Sequence, residues 1–173
     1  MMEDFEVKQL TEEDAYNYLN LRLEALKEHP EAFATTYKEM IVKDDPLEFI
    51  EQYLSSAELY TFGIYTTDEL VAVATLRLNS LEKMKHKGDL LGMYVSPGAR
   101  KKGLARKLIK TIVSRGEDLG LEQIRLMVVS ENDTAVQFYS SLGFEKYGFE
   151  KNAMKFDGKY WDEELMVRFL SSL

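Results

Sequence analysis

Residues 90–108, LLGMYVSPGARKKGLARKL, join an apolar run to a basic helix start through Ser96-Pro97-Gly98. The run from Leu90 to Val95 is too short for a helix and stops at a Pro-Gly pair that punctuates regular structure, so it reads as a strand. From Leu104 the period turns helical, with Leu104, Leu108, Ile109, Ile112 and Val113 on one side. Lys101, Lys102, Arg106, Lys107 and Lys110 occupy much of the remainder, which makes the helix amphipathic with a basic N-terminal half. Cations in a first helical turn oppose the helix dipole, so their accumulation there points to an anion that offsets them. Gly103 lets the backbone come close to that anion, and small Ala105 keeps the approach open. Strand, loop and helix N-terminus together form a phosphate-holding arrangement.

Two common phosphate motifs fail on the same letters. Gly98 and Gly103 have the glycine spacing of a P-loop, but Leu104 and Ala105 stand where Lys and Ser/Thr would hold phosphates and magnesium. Nucleotide hydrolysis is therefore not expected. No G-x-G-x-x-G fingerprint for a dinucleotide is present either.

Two blocks in order carry a family resemblance. Val95-x-Pro97-x-x-Arg100-Lys101-Lys102-Gly103-Leu104-Ala105 resembles the acyl-CoA signature of the GNAT superfamily of N-acetyltransferases, Arg/Gln-x-x-Gly-x-Gly/Ala after a strand ending in Val-x-Pro. Asn132-Asp133-Thr134-Ala135, then Phe138-Tyr139, then Leu142-Gly143-Phe144, resembles the family's second block. The flanking elements fit in order, so the resemblance covers essentially the whole chain and implies a bacterial-type, small, single-domain member spanning residues 1–173.

Composition is consistent with one such domain. A chain of 173 residues buries roughly 70% of its unfolded surface. The absence of cysteine rules out disulfides and thiolate metal sites, and no metal is expected. No apolar run approaches the ~18 residues of a membrane span, and the acidic start Met-Met-Glu-Asp-Phe-Glu is unlike a signal peptide, so a soluble, cytoplasmic protein is expected. A formal net charge of -8 argues against nucleic acid as a partner and is compatible with a cationic amine.

Local signals place the elements. An edge strand is expected at residues 5–10, then a helix over 12–28 with Ala15, Leu19, Leu23 and Leu26 on one side, ended by His29-Pro30. A second helix with proline in its first turn runs over 46–54, followed by a hairpin of strands 59–66 and 70–79. The core strand at 89–95, the helix from 104, a strand at 123–129 and a helix at 134–142 follow. Strands at 145–156 and 159–169 flank Asp157-Gly158, a strong hairpin signal. The order β-αα-ββ-β-α-β-α-ββ matches the α/β GNAT fold, a mixed, mostly antiparallel sheet of about seven strands flanked by about four helices. The C-terminal strand, with Trp161, Leu165, Val167 and Phe169, offers an edge either for a homodimer or for pairing inside the chain.

The resemblance also assigns roles. Acetyl-CoA, as acyl donor, would enter an opening between the strands ending at Val95 and Val129. Main-chain groups of Met93, Tyr94 and Val95 would hold the pantetheine arm and thioester carbonyl as though the arm were an added strand. Backbone amides of Lys101, Lys102, Gly103, Leu104, Ala105 and Arg106 would cradle the pyrophosphate, with Arg100 orienting the loop. Asn132 either bonds the pantetheine or caps the following helix, or does both. Of neighbours Phe138 and Tyr139, one is expected to face the core and the other the cleft. Tyr139 is the expected acid for the departing thiolate, with a core aromatic as the alternative.

An alkylamine with a pKa near 10.4 is neutral in only roughly one molecule in a thousand at pH 7, so its proton needs a route. Some relatives place a glutamate where this chain has Asp89. On strand parity Asp89 matches Met93 and Val95 and would face the cleft, acting through water, unless it is a solvated strand-start residue. His86 is a further titratable neighbour, on a loop.

Acceptor choice in the family lies in the first two helices and their loops, where Glu31, Phe33, Tyr37 and Glu39 are candidates to line a pocket. Three functions remain open: acetyl transfer to a small-molecule primary amine by direct attack in a ternary complex, transfer to a peptide N-terminus or lysine, and a catalytically silent acyl-CoA sensor.

Overall fold

Thr66 and Glu69 face each other across the two-residue turn Thr67-Asp68, and Thr67 takes the left-handed conformation (φ 56°) that such a tight hairpin needs. This turn joins β2 (Leu59–Thr66) to β3 (Glu69–Leu78) in a computed structural model that describes residues 5–170. Before the hairpin come β1 (Val7–Gln9), α1 (Ala15–Glu28), α2 (Tyr37–Ile41) and α3 (Pro46–Ser55). After it come β4 (Lys87–Val95), α4 (Leu104–Asp118), β5 (Gln123–Val129), α5 (Asp133–Ser141), β6 (Glu145–Phe156) and β7 (Lys159–Phe169).

The strands form one seven-stranded sheet in the order β1-β2-β3-β4-β5-β7-β6. Every neighbouring pair is antiparallel except β4 and β5. The mixed, mostly antiparallel sheet is as expected, with five α-helices rather than about four. The additional one is α2, whose five residues are too few for a periodic signal; a Thr36–Glu39 capping box starts it.

The helices divide the core into two layers. On one face Leu104, Leu108, Ile109 and Ile112 of α4 and Tyr139 of α5 pack on Ile64, Ala74, Leu76, Leu90 and Ile124. On the other face Tyr18, Leu21 and Ala25 of α1 and Ile50 and Leu54 of α3 pack on Leu70, Val73 and Tyr94. Ala15 and Leu26 are buried as expected, whereas Leu19 and Leu23 are only half-buried and Tyr18, Leu21 and Ala25 complete the buried face of α1. Tyr18 sets the rotation: its ring lies 5.8 Å from that of Tyr53 on α3, and a tyrosine ring buries more apolar area than the leucines it displaces.

β7 is not an edge. It pairs with β5 on one side and β6 on the other, so the C-terminal strand is used inside the sheet and β6 is the outer strand. Among the described residues no helix is long and apolar enough to cross a membrane.

Asp14, in the 3-10 turn Glu12–Asp14 that leads into α1, ties three elements together. Its carboxylate accepts from Lys8 Nζ (2.9 Å), the Thr11 amide (2.9 Å) and the Tyr65 hydroxyl (2.7 Å). Burial works to raise its pKa, but these bonds outweigh it and hold the carboxyl below the ordinary aspartate value. A carboxyl depressed in the folded state adds stability that is present above about pH 4 and lost as pH falls through the folded value. Asp14→Ala is expected to cost about 1–3 kcal/mol at pH 7. Urea midpoints of the two proteins should converge as pH is lowered below about 4.

Candidate active site

β4 and β5 run side by side for only three residues. Their parallel ladder pairs Lys87 with Gln123, Gly88 with Ile124 and Asp89 with Arg125, and ends there. β5 continues paired on its other edge with β7, from Gln123–Phe169 to Val129–Glu163. β4 follows β3 but carries a bulge: Leu91 faces Thr75 and Tyr94 faces Val73, so Gly92 and Met93 together oppose Ala74. Gly92 takes φ 59°, a conformation glycine adopts without a Cβ penalty. The extra residue bends β4 away from β5, and the facing main chains of residues 90–93 and 126–129 open into a cavity of about 590 Å³.

Its remaining walls come from both faces of the sheet. Asn132, Ala135 and Tyr139 of the α5 region contribute one side; His29, Glu31 and Phe33, after α1, contribute another; and Lys159 and Trp161 of β7 close the end. Two unpaired strand edges facing each other suit an extended chain that adds as a strand.

Next to the cavity, α4 presents its N-terminus openly. Gly103 caps the helix at φ 79°, and nothing lies within 4 Å of where its Cβ would be. Lys101 is also left-handed (φ 64°). Lys107 donates its amide to the Gly103 carbonyl (3.1 Å), whereas among the described residues no acceptor meets the amides of Leu104, Ala105 and Arg106. Three open amides at the positive end of a fifteen-residue helix, with no side chain in front, fit a pyrophosphate. Arg106 is anchored to Ser141 Oγ (3.1 Å).

A family model described as "Acetyltransferase (GNAT) domain" matches residues 7–165. The chain belongs to the GNAT acetyltransferase family. The Bacillus subtilis protein named "Uncharacterized N-acetyltransferase YoaA" is 26% identical over 127 residues, which is 67% of this chain and 71% of that one. The crystal structure of a probable acetyltransferase from Staphylococcus epidermidis superposes with a TM-score of 0.81 at 25% identity, covering 97% of this chain and all of the other. The Salmonella typhimurium protein yncA, described as a putative acetyltransferase with its cofactor acetyl-CoA, shares the fold at a TM-score of 0.81 and 18% identity, over 98% and 96% of the two chains.

Within this GNAT chain the candidate residues separate. Tyr139 is 9% exposed, belongs to the α4-side core and also lines the cavity. Of the pair, Tyr139 alone reaches the cavity, while Phe138 is half-buried against the same core, its ring 5.3 Å from that of Tyr139. Burial raises the Tyr139 pKa well above the ordinary tyrosine range, so the hydroxyl keeps its proton. Among the described residues that hydroxyl makes no hydrogen bond. Asn132 lines the cavity while its Oδ1 caps α5 by accepting the Ala135 amide (3.1 Å). Met93 lines the cavity; Tyr94 and Val95 do not. Tyr94 turns to the α1 face and donates its hydroxyl to Glu24 Oε1 (3.0 Å), which also accepts from Ser96 Oγ (2.8 Å). Burial and that carboxylate push the Tyr94 pKa up to about 12.

Asp89 is placed differently from the expectation. The bulge shifts parity by one, so Asp89 shares a face with Leu91 and Tyr94 rather than with Met93 and Val95. It lies outside the cavity wall, held by Arg125 Nη2 (2.7 Å) and Arg77 Nη2 (3.1 Å). Tyr37 and Glu39 also fall outside the wall. Glu39 bonds the Thr36 amide (2.7 Å) at the start of α2, and Tyr37 packs under Lys27, whose Nζ lies 4.6 Å from the ring centroid. Of the four expected acceptor-side residues, Glu31 and Phe33 line the cavity.

His29, Glu131, Lys159 and Trp161 are wall residues that the sequence reading did not assign. The hairpin signal at Asp157-Gly158 places Lys159 and Trp161 at the start of β7, but only the insertion of β7 beside β5 brings them to the cavity. Asp89→Asn is expected to lower stability by about 1–3 kcal/mol by leaving two arginines short of a carboxylate. In a double-mutant cycle with Arg125→Gln, measured by urea unfolding, the combined loss should be smaller than the sum of the single losses.

Proposed function

We propose that this chain transfers the acetyl group of acetyl-CoA to a primary amine of a small molecule, by direct attack within a ternary complex. The observation that carries the reading is a proton-bearing Tyr139 in the wall of a cavity between two unpaired strand edges, beside an open helix N-terminus.

The amides of Leu104, Ala105 and Arg106 would hold the pyrophosphate, with Gly103 giving room for close approach. Met93 and the facing β5 edge would receive the pantetheine arm, with Asn132 at its border. Bound there, acetyl-CoA supplies an activated acyl group. Tyr139 would give its proton to the departing thiolate, for which a hydroxyl still protonated at neutral pH is suited.

The acceptor would meet the opposite wall. Glu31 and Glu131 contribute two carboxylates against the one ammonium of Lys159, and Phe33 and Trp161 add aromatic surface. That lining favours a cation with an apolar body. A volume of about 590 Å³ is in the range of small-molecule sites, and it must also admit the pantetheine tip, which supports a small amine over a protein segment.

The test is acceptor-dependent release of free CoA thiol across a panel of small amines and short peptides. Tyr139→Phe should lower kcat by about 10²- to 10⁴-fold with little change in acetyl-CoA affinity. Binding of acetyl-CoA without turnover on any acceptor would favour a sensing domain, and turnover confined to peptides would move the acceptor class.

A further inference from the structure

The cavity wall that carries Tyr139 also holds a histidine whose ring is fixed at both nitrogens. His29 is the C-terminal cap of α1, with a backbone (φ -135°, ψ 64°) that is neither helical nor extended. Nδ1 lies 3.2 Å from Glu31 Oε1, and Nε2 lies 3.1 Å from Arg100 Nη2. These partners determine the tautomer. An ionised glutamate only accepts, so Nδ1 carries the hydrogen; a guanidinium only donates, so Nε2 carries the lone pair. Arg100 is itself oriented by donating Nε to the Val95 carbonyl (3.0 Å), at the end of the bulged strand.

On the reading proposed above, which this inference takes as its basis, we propose that His29 is the general base that removes the proton of the acceptor ammonium. Glu31 on Nδ1 and Arg100 at Nε2 hold the imidazole in one orientation, and the ring lines the cavity that would receive the acceptor. Tyr94 of β4 presents its ring edge to the imidazole at a centroid distance of 6.4 Å. Glu24 on α1, bonded to the Tyr94 hydroxyl, and Glu28, the last residue of α1, add negative charge near that ring. Glu131 and Lys159 face the same cavity from the other walls.

The step balances as follows. Arg100 Nη2 leaves Nε2, and an ammonium N–H bond breaks as its proton forms an Nε2–H bond. The freed nitrogen lone pair makes the C–N bond to the acetyl carbonyl carbon. The carbonyl π pair moves to oxygen and returns as the C–S bond breaks with its electron pair on sulfur, which takes the proton of Tyr139; the nitrogen gives up its second proton to solvent to become the neutral amide, and the Tyr139 phenolate regains a proton from solvent. The imidazolium then gives its proton to solvent, which reaches the 39% exposed His29 side chain. Base and acid belong to opposite faces of the sheet, His29 following α1 and Tyr139 on α5, so nucleophile and leaving group are served from different sides of the gap.

Three measurements test this. The chain has two histidines, so long-range nitrogen–proton NMR of the rings resolves His29 from His86. The expected His29 form is Nδ1–H, and an Nε2–H tautomer would overturn the proposal. Second, His29→Gln is expected to lower kcat/KM by about 10²-fold or more for an alkylamine acceptor while acetyl-CoA affinity holds. It should lose the limb of the pH–rate profile at which imidazole becomes neutral. The loss should shrink with hydroxylamine, a nucleophile already neutral at pH 7, and imidazole in the buffer should partly restore His29→Ala. An equal loss with alkylamine and hydroxylamine, or an unchanged pH profile, would assign His29 a packing role only. Third, Glu31→Gln should shift that limb with the fold intact, which separates a proton-transfer defect from misfolding. If the wild-type protein transfers acetyl to no amine, the underlying functional reading fails; if it does and His29→Gln matches it, only this inference fails.

Discussion

Seen from β3, the strand β4 is one residue too long, and the surplus is taken up at Gly92 where Gly92 and Met93 together oppose Ala74. Everything useful about the cavity depends on that mismatch. The bulge turns β4 away from β5 just after Asp89–Arg125, leaving two backbone edges without partners. Unpaired peptide groups buried without partners cost free energy, so such a gap persists where a ligand chain can complete it. The bulge also changes which side chains look into the opening. Met93 enters the wall, Tyr94 rotates to the α1 face, and Asp89 is withdrawn into a pair of arginines.

The gap separates two chemical environments. On the α4–α5 side lie open amides and a hydroxyl that burial keeps protonated, suited to phosphate and to a leaving thiolate. On the α1 side lie Glu31, Phe33 and His29, a carboxylate, an aromatic ring and an imidazole. The two sets come from opposite faces of the sheet and meet in the wall of one small cavity. Arg100 links the two sides, since it comes from the loop leading to α4 yet contacts the imidazole.

The architecture and the donor side were legible in the sequence because their signals are local. Pro97-Gly98, Gly103 and the spacing of Leu104, Leu108 and Ile112 mark the strand, the loop and the helix within twenty letters, and β2, β5, β6 and β7 keep the boundaries the letters suggest. The acceptor side was not legible because its signals are non-local. A bulge reverses parity without changing the alternation that precedes it, so Met93 lines the cavity as expected whereas Asp89 does not share its face. The stop at His29-Pro30 was visible, but that the stopping histidine would meet Arg100 depends on the tertiary path. Tyr37 and Glu39 were spent on packing under Lys27 and on capping a five-residue helix too short to show a period.

The placement of β7 between β5 and β6 also has a bearing on the order in which the molecule is made. β1 to β4 pair in chain order, so each of β2, β3 and β4 finds an antiparallel partner already made upstream. β5 emerges with three residues of pairing to β4 and its whole other edge bare until the chain has been extended through Phe169. At about 5–20 residues per second that interval lasts a few seconds during synthesis. A nascent chain halted anywhere inside β6 would therefore carry α4 and Tyr139 but not the end wall of the cavity, and its exposed β5 edge would be open to pairing with another chain.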